Sequence, residues 1–200
     1  MSKFSVLLAF AAGSLLPAQS LSQHDRDFAM SNLHASRKVF LDSVAGLTPE
    51  QWNFKPAPDR WSIAECAEHI TVSEDFIWGL IQNQIMKSPA APEKRAEVKV
   101  TDETLVEQIE DRSKKATAPE AITPKKRWPE PDVLTAHFKE SRDAHIHYVD
   151  TTQDDLHDHF MRHPAAGMLD GYQWILLMSA HTARHTAQIN EVKADPKYPK

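Results

Sequence analysis

The chain carries a single cysteine, Cys66, so no disulfide can close within it and its stability must come from packing, to which a bound ion could add. Glycine is scarce, with five in 200 residues. Alternating β-branched runs are also rare, and neither an internal repeat nor a low-complexity tract is visible. Periodicity and helix caps therefore define the architecture. Positive charge is in deficit: 23 Lys and Arg against 28 Asp and Glu give a formal charge of −5. The basic residues are scattered, without the patch or stripe that nucleic-acid binders carry, so no nucleic-acid partner is expected. The short run Lys125-Lys126-Arg127 lies between prolines and reads as a solvated loop.

Long apolar runs are missing as well. The stretch Phe4 to Leu16 falls short of the about 20 residues that a membrane span needs. Lys3 precedes it, Pro17 ends it, and Ala18-Gln19-Ser20 places small residues at the −3 and −1 positions of a cleavage site. This is the pattern of a signal peptide over residues 1–20. Cleavage would remove Lys3 and take the formal charge from −5 to −6. The expected location is then periplasmic or extracellular, with no stable membrane insertion after processing. What remains, residues 21–200, suits one domain, and 41% hydrophobic with 26% charged residues is an ordinary globular mixture.

Helix signals fill that domain. A first helix is expected from Asp25 to Ala45, stopped by Gly46 as a left-handed C′ residue. Thr48-Pro49-Glu50-Gln51 caps a short helical turn carrying Trp52 and Phe54. Ser62-Ile63-Ala64-Glu65 is a capping box, opening a helix with an inward stripe of Ile63, Cys66, Ile70, Ile77 and Ile81 to about Met86. After a loop over Ser88–Val100 come a polar helix from Asp102 to about Lys115 and a proline-punctuated crossover to Pro131. A further helix is expected over Asp132–Val149. The last starts at Asp170, with Gln173 at N3, and ends before Pro196. Together these predict an all-α four-helix bundle with a long crossover connection and an extra short helix.

Chemistry concentrates on the last helix. His181 and His185 stand four residues apart, so they share a face about one turn (roughly 6 Å) apart, and they continue the stripe of Trp174, Leu177 and Met178. Two imidazoles at that spacing can grip one metal ion, although a hydrogen-bonded core pair has the same spacing. No glutamate follows His181, which removes the H-E-x-x-H protease motif. His69 lies at the edge of the second helix's inward stripe, and a bundle core can set such a residue against a pair on another helix. Three imidazoles leave coordination positions open, as catalytic sites do.

Other residues read differently. His145, His147, His157, His159 and His163 are expected to be solvated or in loops, His163 with a structural part beside Pro164. Cys66, one turn before His69, is expected to be buried as a small hydrophobe. Gln188 could support the ligands from behind. Arg184 could hold an anionic group of a substrate or pair with an acidic neighbour. Among Glu65, Glu68 and Glu74, the first is explained by capping, and Glu74 is the candidate proton carrier. Glu74 and Arg184 are thus the candidate catalytic residues. Trp61 and Trp174 are expected to pack rather than touch a ligand.

The stretch Pro58-Asp59-Arg60-Trp61-Ser62-Ile63-Ala64-Glu65, continuing to His69, resembles the second-helix signature of the DinB/YfiT-like metalloenzyme superfamily. His163-Pro164, Gly167, Asp170, Trp174 and the final His-x-x-Arg-His-x-x-Gln-Ile resemble its C-terminal signature. The resemblance implies a four-helix bundle with a divalent metal held by His69, His181 and His185, and it extends from about Asp25 to Val192. It also implies a small-molecule substrate, and it admits a homodimer. The expected function is hydrolase-like chemistry with a metal-activated water. The alternatives are thiol-dependent S-transfer, as in some relatives, or a non-catalytic metal- or ligand-binding bundle. Zinc, nickel, iron and manganese all suit three imidazoles.

Overall fold

Three helix starts are fixed by reciprocal side-chain caps. At Ser22 the hydroxyl accepts from the Asp25 amide (3.1 Å) while the Asp25 carboxylate accepts from the Ser22 amide (3.2 Å). The Thr48–Gln51 and Ser62–Glu65 pairs repeat the arrangement. Each satisfies N–H groups that a helix start otherwise leaves bare. In a computed structural model, which describes residues 20–115 and 117–200, these caps open α1 (Gln23–Val44), α2 (Pro49–Asn53) and α3 (Ile63–Leu80). The expected signal segment falls, apart from Ser20, outside the described residues.

The remaining elements are α4 (Asp102–Glu110), α5 (Pro131–Thr151), the two-stranded β1 (Phe160–His163) and β2 (Gly167–Asp170), and α6 (Gly171–Lys193). The long helices α1, α3, α5 and α6 form the bundle expected from the periodicity. Contacts run around it in the order α1, α6, α3, α5, with α4 laid along the outside of α6. Ile63 to Ile70 share a core cluster with Ile189 and Val192, whereas Ile77 to Ile85 share another with Trp174 to Met178. The helices α3 and α6 are therefore antiparallel, which sets His69 level with the His181–His185 stretch of α6. No helix among the described residues is long and apolar enough to cross a membrane.

Several boundaries differ from expectation for identifiable reasons. The Ser22–Asp25 box starts α1 two residues before the predicted Asp25. Past Leu80 the third helix loosens into a π-helical turn over Ile81–Ile85. The segment expected as plain loop holds a 3₁₀ turn, Pro92–Glu97. The polar helix stops at Glu110 instead of Lys115, because the Asp111 carboxylate turns the chain by accepting from the Ser113 amide (2.8 Å) and hydroxyl (2.7 Å). The hairpin before α6 was not expected from sequence. His163 pairs with Gly167 across the Pro164-Ala165-Ala166 loop, and Gly167 takes φ +85°, a conformation that suits glycine at the end of such a loop.

One polar node lies at the centre. Arg142 of α5 is fully buried, and its guanidinium forks onto both oxygens of Glu74 on α3 at 2.6 Å. It also donates to the Leu33 carbonyl (3.0 Å) and Ser36 hydroxyl (2.7 Å) of α1, and to the Thr182 hydroxyl (3.0 Å) of α6. His145, expected to be solvated, is instead 3% exposed, with Nδ1 2.8 Å from Glu74 and its ring against Trp78. Its partner in the HxH pair, His147, points to solvent as expected, since positions two apart on a helix face different ways.

Arg142→Ala should leave the Glu74 charge buried without its main partner. A loss of about 3–5 kcal/mol in unfolding free energy is expected by urea denaturation, the range for breaking a buried pair from one side.

Candidate metal centre

The antiparallel packing of α3 and α6 brings the three expected histidines together. Ring centroids are 4.3 Å apart for His69 and His185, 4.5 Å for His181 and His185, and 4.9 Å for His69 and His181. One nitrogen from each lies within 4.8 Å of the others. They are the one group of three or more such side chains among the described residues with metal-binding spacing.

The outer hydrogen bonds fix which nitrogens face inward. Nδ1 of His69 is 2.8 Å from the Ile122 carbonyl, which can only accept, so this nitrogen carries the proton. Nδ1 of His185 is 2.8 Å from Oε1 of Gln188, and the same oxygen accepts from Arg112 at 3.3 Å. That identifies it as the amide oxygen and puts the second proton on Nδ1 of His185. The two Nε2 lone pairs then face each other at 3.2 Å with no proton between them. Such an arrangement is repulsive until a cation occupies it. Ligand nitrogens around a tetrahedral ion with bonds of about 2.0–2.1 Å lie about 3.3 Å apart. The residues present therefore fit a divalent ion.

Burial keeps all three imidazoles neutral. It pushes His69 below the ordinary value, against the opposing pull of the Ile122 carbonyl. It pushes His185 down to about 3, with the neighbouring His69 adding to the effect. His181 is driven well below the usual range by burial and then by the other two rings. Neutral imidazole is the form that donates a lone pair to metal.

The surroundings are partly those anticipated. Gln188 supports His185 as expected, and Arg112 in turn is held by both Glu191 oxygens (2.6 and 2.9 Å). Trp61 packs as expected, and it does so against the ligand rings, 4.8 Å from that of His69 and 6.3 Å from that of His185. Cys66 is buried as expected, its thiol pushed up to about 12 by desolvation, and it is not among the clustered ligands.

The two candidate catalytic residues are engaged elsewhere. Both oxygens of Glu74 are taken by Arg142. The Arg184 guanidinium donates to the carbonyls of Ile109 (3.2 Å), Lys114 (2.6 Å) and Asp111, closing the end of α4. His163 is half-buried, with Nδ1 accepting from the Ala165 (3.2 Å) and Ala166 (3.0 Å) amides, and so it carries its proton on Nε2. His157 lies in the turn before β1, as the loop expectation has it, where it is half-buried and bridges Asp170 (2.9 Å) and Asp25 (3.5 Å). Burial works against its charge, but the two carboxylates outweigh it and raise its pKa.

Glu68, weighed in the sequence only as a possible proton carrier, is 4% exposed and binds the crossover. It accepts the backbone amides of Lys125 (2.8 Å), Lys126 (2.8 Å) and Arg127 (3.0 Å). The basic run is thus exposed at its side chains but tied down along its backbone. Its position directly before His69 was the available signal.

The sequence profile of the DinB superfamily matches residues 32–189. The chain belongs to the DinB superfamily. Among relatives of this DinB-superfamily chain, YuaE of Bacillus subtilis (strain 168) is 23% identical over 164 residues, covering 82% of this chain and 96% of YuaE. Among solved structures, YfiT of Bacillus subtilis, described as a probable metal-dependent hydrolase with an unusual four-helix-bundle topology, superposes with a TM-score of 0.53. That alignment covers 91% of this chain and 93% of YfiT at 16% identity, a likeness of fold.

The lowered histidine pKa values set a pH dependence. Unfolded imidazoles take up protons below about 6.5, whereas the folded ones resist until far lower pH. Stability of the metal-free protein should be full above about 6.5 and fall as pH drops toward the His185 value of about 3. Replacing all three histidines with glutamine should flatten this part of the profile in denaturant titrations.

Proposed function

We propose that this chain is a divalent-metal-dependent enzyme acting on a small molecule, with His69, His181 and His185 as the metal ligands and hydrolysis as the reaction class. The observation that supports this most directly is the pair of opposed Nε2 lone pairs at 3.2 Å, each imidazole having its outer proton already committed. Three ligands leave room for substrate or water, which separates a reactive site from a closed structural one. A bound divalent ion supplies Lewis-acid polarisation and brings the pKa of water toward neutrality.

The chain's own residues prepare that chemistry. The Ile122 carbonyl and the Gln188 amide hold two rings in one tautomer, so the inward nitrogens need no rearrangement on loading. Trp61 packs its ring against those of His69 and His185, adding apolar surface beside the site. Because Glu74 is occupied by Arg142, we assign it to holding the bundle, and Arg184 to fixing the end of α4 beside the site. Cys66 is a buried neutral thiol, which favours hydrolysis over any mechanism using it as a nucleophile. The N-terminal pattern supports export, and an exported protein has a poorer supply of a low-molecular-weight thiol than of water.

Elemental analysis tests the reading. Untagged wild-type protein should carry near-stoichiometric zinc, nickel, iron or manganese, and the His181→Ala/His185→Ala double variant should carry none. Absence of metal from the wild type after reconstitution with each ion would overturn it.

A further inference from the structure

The crossover between α4 and α5 reaches His69 directly through the Ile122 carbonyl, which lies on Nδ1 of that ring. A carbonyl on a connection of this length needs an anchor to stay in place. The anchor lies on α3 itself. Glu68, one residue before the ligand, turns its carboxylate toward the strap and receives three consecutive backbone amides, from Lys125, Lys126 and Arg127, at 2.8, 2.8 and 3.0 Å. The Arg127 guanidinium adds a contact of 3.4 Å to the same carboxylate and donates to the Thr123 carbonyl at 3.2 Å, next to Ile122.

The backbone is bent for this purpose. Lys126 has φ +59°, the one non-glycine residue with positive φ among the described residues. Such a conformation is uncommon for a residue with a Cβ, and it lets successive amides converge on one anion, as in backbone nests. A buried carboxylate with three or four donors is far more rigid than a surface ion pair. The 3₁₀ turn Glu120–Ile122 is separated from the clamped amides by two residues, and Arg127 ties the intervening Thr123 carbonyl to the same carboxylate, so the clamp constrains the Ile122 carbonyl.

We propose that Glu68 is a positioning residue for the metal centre: by clamping the crossover it holds the Ile122 carbonyl on His69 and so fixes that imidazole as the Nδ1–H tautomer with Nε2 facing inward. Glu68 touches neither metal nor substrate in this scheme. It acts through the strap, and adjacent positions on α3 serve separate ends: one turns outward to fix the loop, the next inward as ligand. The metal part of this inference rests on the proposed function, whereas the tautomer part does not.

The tautomer can be read in the metal-free protein by ¹⁵N NMR of the histidine rings. In the wild type, His69 should be protonated on Nδ1. Glu68→Gln keeps the size of the side chain but replaces one acceptor with a donor facing amide N–H groups. It should give a mixed His69 tautomer and weaken zinc binding by about 10–100-fold, the usual effect of losing an outer partner. Lys126→Val provides an independent variant, since Lys126 is exposed and a β-branched residue resists positive φ. It should shift His69 in the same direction with the core intact. Glu120→Gln, on the same strap with its side chain 91% exposed, should change neither readout. A Lys126→Val or Glu68→Gln protein that folds and keeps both the wild-type tautomer and the wild-type zinc affinity would overturn the proposal. A tautomer shift in protein that binds no metal would support the clamp while removing the proposed function.

Discussion

The bundle depends on one buried cation. Arg142 reaches all three of the other long helices from α5, including α6, which lies diagonally across the ring. A fully buried guanidinium is costly unless every donor direction is answered, and here Glu74, Leu33, Ser36 and Thr182 answer them. An apolar core tolerates small slips of one helix along another. A polar node of this kind has one satisfied arrangement and thereby selects a single axial register.

That register matters for the histidines. Glu74 lies five residues beyond His69 on α3, and Thr182 directly follows His181 on α6. By holding Glu74 and Thr182 at one level, Arg142 fixes how the ligand-bearing stretches of the two helices meet. Sliding α6 by a single turn, about 5.4 Å, would move one of His181 and His185 into the other's place and carry that other away from His69, breaking the three-histidine set. The node and the metal centre are therefore successive levels of one assembly, the first setting the geometry that the second needs. Ile122 and Gln188 then complete the work locally by orienting two of the rings.

Much of this was written locally and could be read without coordinates. The Thr48 and Ser62 capping boxes, the left-handed stop at Gly46 and the four-residue spacing of His181 and His185 each involve neighbours in sequence. The features that escaped are long-range. Nothing near Glu74 announces Arg142, 68 positions away, so its place in a buried ion pair has no local signature. Likewise His145 looked like half of a solvated HxH pair, although its position one turn from Arg142 puts it in the node. The hairpin before α6 has strands of four residues, too short for alternation to show. Glu68 was visible as a carboxylate beside a ligand, but its partners are backbone amides, which carry no side-chain signature.

The burial of Cys66 has a practical side. Its thiol sits within a packed apolar cluster, where desolvation pushes its pKa up to about 12, so burial and protonation together should shield it from cross-linking and alkylating reagents while the fold holds. The native protein should then be silent to thiol chemistry. A single cysteine introduced at the surface becomes its sole reactive handle, so probes can be attached one position at a time on an otherwise unmodified chain.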